Sequence, residues 1–301
     1  MKESKGDKPL FSIVIPAYNE EGAIKDLIEE VFCIFKEWGK HLEVIVVNDG
    51  STDLTPKKIK ETDAKLVSFD KNYGQSSALD AGIKLASGNY IVTIDGDGQN
   101  DPSDIPKMFK KMKEKNVDLI CGKRKNRKSK KTIKIGARLA SKVRKLILDD
   151  EITDSGCTLK IFEKDLAKDL DLFRGMHRFI PALAKIKGYK VGEISVNHRV
   201  RKSGKTKYNC LKYFPGTIGL LTVWRIKSNK KNRKSFSPMF CALIIFLSIT
   251  ILNIFHPEIE NFPLLMLSLV AFLGFFLIGY LVEKDFKKYY NYKPEYKVKN
   301  K

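Results

Sequence analysis

Four short apolar runs, Phe11–Ile15, Leu42–Val47, Lys65–Phe69 and Tyr90–Ile94, alternate with stretches of helical periodicity over the first hundred residues. That alternation constrains the fold more than any other feature, because parallel strands joined by helical crossovers build an open α/β sheet with right-handed connections. The first run stops at Pro16, and Ile24, Leu27, Ile28, Val31, Phe32 and Phe35 then recur at helical spacing. Leu42–Val47 is apolar except for Glu43, as strands buried on both faces are. Asp118–Cys121 reads as a fifth strand and Tyr189–His198 as a later one.

Three of these strands end in polar clusters: Ala17–Glu21 after the first, Asn48–Asp53 after the second, and Asp95–Asp101 after the fourth. The carboxyl ends of parallel strands share one edge of a sheet, which is where open α/β sheets bind ligands. Asp95, Asp97 and the amide oxygen of Gln99 are hard oxygen ligands of the kind Mg²⁺ or Mn²⁺ takes, with phosphate and water completing the shell. An acidic surface turn is the plainer reading, since Asp-Gly is a common turn dipeptide. No GxGxxG or GxxxxGK[ST] pattern is present, so a metal-assisted diphosphate site is favoured over dinucleotide or P-loop chemistry.

A net charge of +21 makes an anionic membrane surface or nucleic acid the leading partner. Two charge-free apolar runs, Pro238–Phe255 and Phe262–Val282, are each close to the length that crosses a bilayer, and Lys and Arg flank the pair on both sides. They read as a transmembrane hairpin whose flanking segments, both termini included, are cytoplasmic. Gly274 and Gly279 on the second run suit packing of copies into a homo-oligomer. Lys123–Lys145 is dense in Lys and Arg without an acid, and from Ile133 it reads as a basic amphipathic helix for an anionic membrane interface. Cys33, Cys121, Cys157, Cys210 and Cys241 show no CxxC spacing and read as reduced thiols. His177 has no second histidine at ligand spacing and is not expected to bind a metal. The expected organisation is a disordered N-terminus (1–9), an α/β domain (10–206), a juxtamembrane interfacial helix and basic linker (207–235), two transmembrane helices (236–282) and a basic cytoplasmic tail (283–301).

Phe11–Glu20, Val47–Asp53, Asn72–Gly74 and Asp95–Gln99 together resemble the successive motifs of family 2 glycosyltransferases of the GT-A fold. Within that family the chain is most similar to polyprenyl-phosphate (dolichyl- or undecaprenyl-phosphate) sugar synthases, the group that includes dolichol-phosphate mannosyltransferase. The resemblance covers about residues 10 to 225. It implies a Mg²⁺- or Mn²⁺-dependent, inverting transfer of one sugar from a nucleotide sugar to a polyprenyl phosphate. It implies that Pro16, Tyr18, Glu20, Asp49 and Asp95 bind the nucleotide sugar with Lys123, Arg201 and Lys207, and that Asp95, Asp97 and Gln99 hold the metal. Thr153–Phe162 resembles the family's D-x-G-C/F-x-x-K/R segment, making Asp154 a candidate base or sugar-orienting group beside Asp97 and Arg199 as catalytic residues. Arg199–Lys207 resembles the R-x-x-G-x-[ST]-K segment, and Arg124, Arg138, Arg199 and Lys205 are the expected ligands of the acceptor phosphate. Arg clamps phosphate bidentately and Lys supplies a point charge.

Transfer to another lipid, a protein or a polysaccharide is the alternative within enzymology. The Q-x-x-R-W motif and extra spans of processive synthases are missing from this sequence. A nucleic-acid binder is the alternative from another class, but the basic residues cluster where a bilayer would lie, so nucleic acid is not expected. A catalytically dead scaffold is disfavoured by the intact Asp95, Asp97 and Gln99.

Overall fold

The computed structural model describes residues 10–125, 142, 144–148, 151–200, 213–230 and 262–299. The chain divides into two units, Met1–Cys210 with Pro294–Lys301, and Leu211–Lys293.

The first unit is built on a sheet of β1 (Phe11–Ala17), β2 (Leu42–Asn48), β3 (Lys65–Ser68), β4 (Tyr90–Thr93), β5 (Leu119–Arg124), β6 (Lys160–Glu163) and β7 (Val191–Val196). Its strand order is β3-β2-β1-β4-β6-β5-β7. β1 to β4 are mutually parallel, β5 and β7 are parallel to each other, and only β6 runs antiparallel, between β4 and β5. The expected mostly parallel α/β sheet is therefore present. Because β6 reverses direction, the carboxyl ends of β4, β5 and β7 still fall on one edge of the sheet with those of β1 and β2.

All seven residues of β1 are buried, as the centre of a sheet covered on both faces requires. α1 (Ile24–Trp38) buries Ile24, Leu27, Ile28, Val31 and Phe35, and Gly39 ends it in a left-handed turn whose N–H bonds the Lys36 carbonyl. α2 (Thr55–Lys60), α3 (Gln75–Leu85) and α4 (Asp104–Glu114) follow β2, β3 and β4. α3 approaches β1 so closely that a Cβ on Gly82 would stand 2.3 Å from Val14 Cγ1. α5 (Lys164–Lys168), a 3₁₀ turn (Met176–Phe179) and α6 (Ile180–Lys187) complete the unit before β7.

Aromatic packing closes the amino end of the sheet. The Phe11 ring lies 5.3 Å from Phe35, 5.5 Å from Tyr90 and 5.0 Å from Phe109. Each such pair contributes about 0.5–1.5 kcal/mol beyond the area it buries. One end of the sheet is thus an apolar plug and the other carries the polar loops.

At the opposite edge from β7, the C-terminal tail adds to β3. Lys299 N–H donates to the Ser68 carbonyl at 2.8 Å and Asp70 N–H to the Lys297 carbonyl at 3.3 Å, around an antiparallel bridge of Phe69 to Val298. The Tyr296 ring stacks on Phe69 at 4.9 Å, and its hydroxyl donates to the buried Asp80 at 3.1 Å.

In the segment read as a basic amphipathic helix, residues 144–148 are helical. Arg144 and Leu148 are buried and Leu146 is exposed, and the Arg144 guanidinium donates to the Ile152 carbonyl.

The second unit contains α7 (Tyr213–Lys230) and α8 (Phe262–Tyr290). Arg225 donates to Glu283 at 3.1 Å with its guanidinium 5.0 Å from the centre of the Phe286 ring, and Asn229 donates to the Tyr290 hydroxyl. The second apolar run forms most of α8, while the first lies outside the described residues. Among the described residues no helix is long and apolar enough to cross a membrane.

Candidate active site

Two loops at the carboxyl edge are stitched to each other. After β1, Asn19 sits in the left-handed region at φ 54°. Its N–H donates to Ser51 Oγ at 3.0 Å, and its Oδ1 accepts from the Thr52 N–H at 2.9 Å. Glu20 N–H donates to Thr55 Oγ1 at 2.8 Å, and Glu21 accepts from the Leu54 N–H at 2.9 Å. The stretch Pro16–Glu20 is held against the loop after β2 by these bonds. Pro16 and Glu20 are buried and Tyr18 is half-buried.

Asp49, at the end of β2, is buried, and its two oxygens accept the N–H groups of Tyr73 at 2.6 Å and Gly74 at 2.9 Å. Burial pushes its carboxyl above the ordinary range, against the pull of those two bonds. The Asn72 side chain donates to the Asp49 carbonyl at 3.1 Å. Asp49 therefore fixes the Asn72–Gly74 loop to the first two.

At the end of β4, Gly98 at φ 71° turns the chain so that Gln99 N–H donates to Asp97 Oδ1 at 3.0 Å. The Gln99 carbonyl in turn accepts the Arg199 N–H at 2.8 Å. A carboxamide bonded to the acidic pair is that of Gln75, the first residue of α3, which donates to Asp95 Oδ1 at 2.7 Å. Burial first, and then the neighbouring charge of Asp97, push the Asp95 carboxyl up to about 6. Thr158, Lys160 and Arg124 pull it the other way. Among the described residues no group of three or more His, Cys, Asp or Glu could by itself hold a metal ion. Two crowded carboxylates nevertheless fit a hard divalent cation that takes its other ligands from diphosphate and water, because the cation offsets the repulsion raising Asp95.

Arg124 ends β5, and Asp154 binds it bidentately: Nε and one terminal nitrogen donate to the two Asp154 oxygens, each at 2.7 Å. The Arg124 N–H adds a third bond to the same carboxylate at 3.2 Å. Both oxygens of Asp154 are thereby engaged by Arg124 in a partly buried ion pair that orients the guanidinium. Lys123 is exposed and, one residue earlier in the strand, belongs to the other face of the sheet, so it does not join Arg124.

Arg199 follows β7, and its guanidinium is bonded to both oxygens of Glu30 at 2.7 Å and to Asp101 at 2.6 Å. In this arrangement it braces α1 against the Asp97–Asp101 loop. Arg138, Arg201, Lys205 and Lys207 lie outside the described residues.

Several contributors to the site escape a reading by motif. Lys160, nearly fully buried in β6, donates to the Cys157 carbonyl and its charge reaches Asp95. Burial pushes His177 down to about 3, so it is neutral, and its Nδ1 shares a 2.7 Å hydrogen bond with the Ser76 hydroxyl. A lysine inside Leu159–Phe162 and one of the chain's four histidines were the available signals.

A family model described as Glycosyl transferase family 2 matches residues 12–171. The dodecaprenyl-phosphate galacturonate synthase of Rhizobium johnstonii is 36% identical over 222 residues, covering 71% of this chain and 66% of that protein. The undecaprenyl-phosphate 4-deoxy-4-formamido-L-arabinose transferase of Shewanella sediminis is 32% identical over 217 residues, covering 70% and 65% respectively. The chain thus spans just under two thirds of these relatives. Among solved structures, glucosyl-3-phosphoglycerate synthase from Mycobacterium tuberculosis, in complex with Mg²⁺ and uridine-diphosphate, superposes with a TM-score of 0.57 at 17% identity, covering 76% of this chain and 82% of that one. Mannosyl-3-phosphoglycerate synthase from Rubrobacter xylanophilus gives 0.57 at 11% identity, covering 76% and 77%.

Proposed function

Because the chain belongs to glycosyl transferase family 2, we propose that it transfers a single sugar, with inversion, from a nucleoside diphosphate sugar to a polyprenyl phosphate at the cytoplasmic face of a membrane. The observation that carries this reading is the convergence at one sheet edge of an acidic pair, Asp95 and Asp97, with a guanidinium, Arg124, whose charge reaches Asp95. A cation site beside a fixed guanidinium suits two phosphates brought together, one leaving and one attacking. The two relatives act, by their names, on polyprenyl phosphates, and one solved neighbour holds Mg²⁺ with uridine-diphosphate.

The stitched loops after β1 and β2 supply a rigid wall for the nucleoside, with Pro16, Tyr18, Glu20 and Asp49 along it. Asp95 and Asp97 would hold the divalent cation, which when bound stabilises the charge of the departing diphosphate. The acceptor phosphate is already an anion near neutral pH and needs no strong base, in keeping with an Asp154 committed to Arg124. Membrane attachment draws support from α8, where Leu273, Phe276, Leu277 and Tyr280 recur at helical spacing and are 42–55% exposed, an apolar stripe that suits lipid.

The test is direct. Membranes containing the full chain are incubated with labelled UDP- and GDP-sugars, polyprenyl phosphate and Mg²⁺ or Mn²⁺, and the lipid extract is counted. Label is expected to reach the lipid from one donor, and Asp97→Ala is expected to lower the rate by about 100-fold or more. Absence of lipid-linked label from every donor, or full activity of Asp97→Ala, overturns the reading.

A further inference from the structure

Glu193 stands third in β7, opposite Cys121 in the register with β5. Its carboxylate accepts three hydrogen bonds from one short segment of the chain: the Thr153 N–H at 2.8 Å, the Asp154 N–H at 2.9 Å, and the Thr153 hydroxyl. An acid on an edge strand is commonly no more than a guard against edge-to-edge pairing. Such a guard needs only charge. Glu193 makes three directed bonds, charge-assisted ones that fix geometry, and all of them end on the residues that precede and include Asp154.

Asp154 in turn takes Arg124 through both its oxygens. Arg124 pairs with Val196, three residues further along the strands than the Glu193–Cys121 pair, so the two residues lie roughly 10 Å apart along the strands and, at an odd offset, on opposite faces of the sheet. Glu193 is therefore out of direct reach of the guanidinium and acts through the 153–154 turn. Arg124 spends Nε and one terminal amino group on Asp154. The remaining amino group has no hydrogen-bond partner among the described residues, and its direction is set by the pair.

We propose that Glu193 is a positioning residue that aims the Arg124 guanidinium at the acceptor phosphate by anchoring the Thr153–Asp154 turn to β7. The inference rests on the acceptor role of Arg124 given above. It assigns a function to a side chain that acts on Arg124 through the Thr153–Asp154 turn.

The experiment is a double-mutant cycle on the full-length protein in membranes. Glu193→Ala is expected to raise KM for polyprenyl phosphate by about 10-fold with the donor KM unchanged, since the lost interaction belongs to acceptor binding. Glu193→Gln keeps a carbonyl oxygen for the two N–H groups and is expected to return to within about 3-fold of the parent. In an Arg124→Ala background, Glu193→Ala is expected to add less than about 2-fold, because residues acting in series are not additive. Additive losses, or a change confined to the donor KM, overturn the proposal. A second readout is independent of turnover: exchange of the Arg124 Nε–H in protein labelled with ¹⁵N-arginine, expected to quicken in Glu193→Ala and not in Glu193→Gln. A parent protein without transferase activity would sink the proposed function, and the exchange measurement would then decide this inference alone, with unchanged Nε–H exchange overturning it.

Discussion

Gly50 has no room for a side chain. It sits at φ 70°, and a Cβ built on it would lie 2.4 Å from the Lys71 carbonyl carbon, a backbone atom that no rotamer can move. Gly50→Ala is expected to cost about 2 kcal/mol or more, from the left-handed backbone together with the overlap. It should also weaken nucleotide binding, because the displaced segment runs into the Tyr73 and Gly74 amides that hold Asp49. Thermal unfolding and titration with UDP and Mn²⁺ check both outcomes. Glu43, near the start of β2, carries a pH dependence of known sign. Burial pushes its carboxyl up, but bonds from the Ser12 hydroxyl and from the hydroxyl and amide of Ser87 outweigh that, and the net shift is below the ordinary 4.5. A depressed pKa gives stability that is fully present above about pH 4.5 and fades as the pH falls below it through the folded-state value. Glu43→Gln is therefore expected to lose about 1–2 kcal/mol at pH 7. The deficit should shrink toward pH 3, as followed by urea unfolding across that range. Asp95 and Asp97 were legible in the sequence because a strand ending in Asp-Gly-Asp places its acids at a ligand edge whatever surrounds them. The Gln75 amide on Asp95, the Asp154 grip on Arg124 and the Glu30 grip on Arg199 were not. Each joins residues 20, 30 and 169 positions apart respectively, and such pairings follow from tertiary packing with no local pattern to announce them.

Among the elements, the strands β1, β2 and β4 were readable from apolar runs of the right length, and their helices from period. β6 was not, because its four residues include Lys160, a buried cation that breaks the apolar pattern of a covered strand. Its antiparallel course is also what lets β5 and β7 carry Arg124 and Arg199 to the same edge as Asp95. The pairing of the tail with β3 likewise has no local signal, since Pro294–Lys299 is short and gains its place through distant residues: the backbone of Ser68 and Asp70, the Phe69 ring and the Asp80 carboxylate. Truncation after Lys293 is expected to speed hydrogen exchange at the Asp70 amide, whose acceptor is the Lys297 carbonyl. Tyr296→Phe, which removes only the hydroxyl bond to Asp80, should cost about 1 kcal/mol and leave that amide protected. Mass-resolved exchange of the 68–74 segment separates the two effects.

At the scale of the whole molecule, the net charge of +21 and the exposed stripe on α8 make different predictions about attachment. Charge alone would let salt release the protein, since screening at 1 M shrinks electrostatic reach to about 3 Å. An apolar element immersed in lipid would not. The full chain is expected to stay in the membrane pellet through washes with 1 M salt and alkaline carbonate; release by salt would restrict attachment to surface charge. The closure of the β3 edge by Pro294–Lys299 also sets a schedule for the newly made chain. β3 is synthesised early, and the segment that covers it follows roughly 230 residues later, after the helical unit has been made. At ordinary elongation rates the gap is about 10–50 s. For that interval Ser68 and Asp70 offer unpaired backbone groups beside an uncovered Phe69, the kind of edge on which nascent chains aggregate. The interval when this protein most needs a chaperone is thus timed by how long Pro294–Lys299 takes to reach a strand made about 230 residues before it.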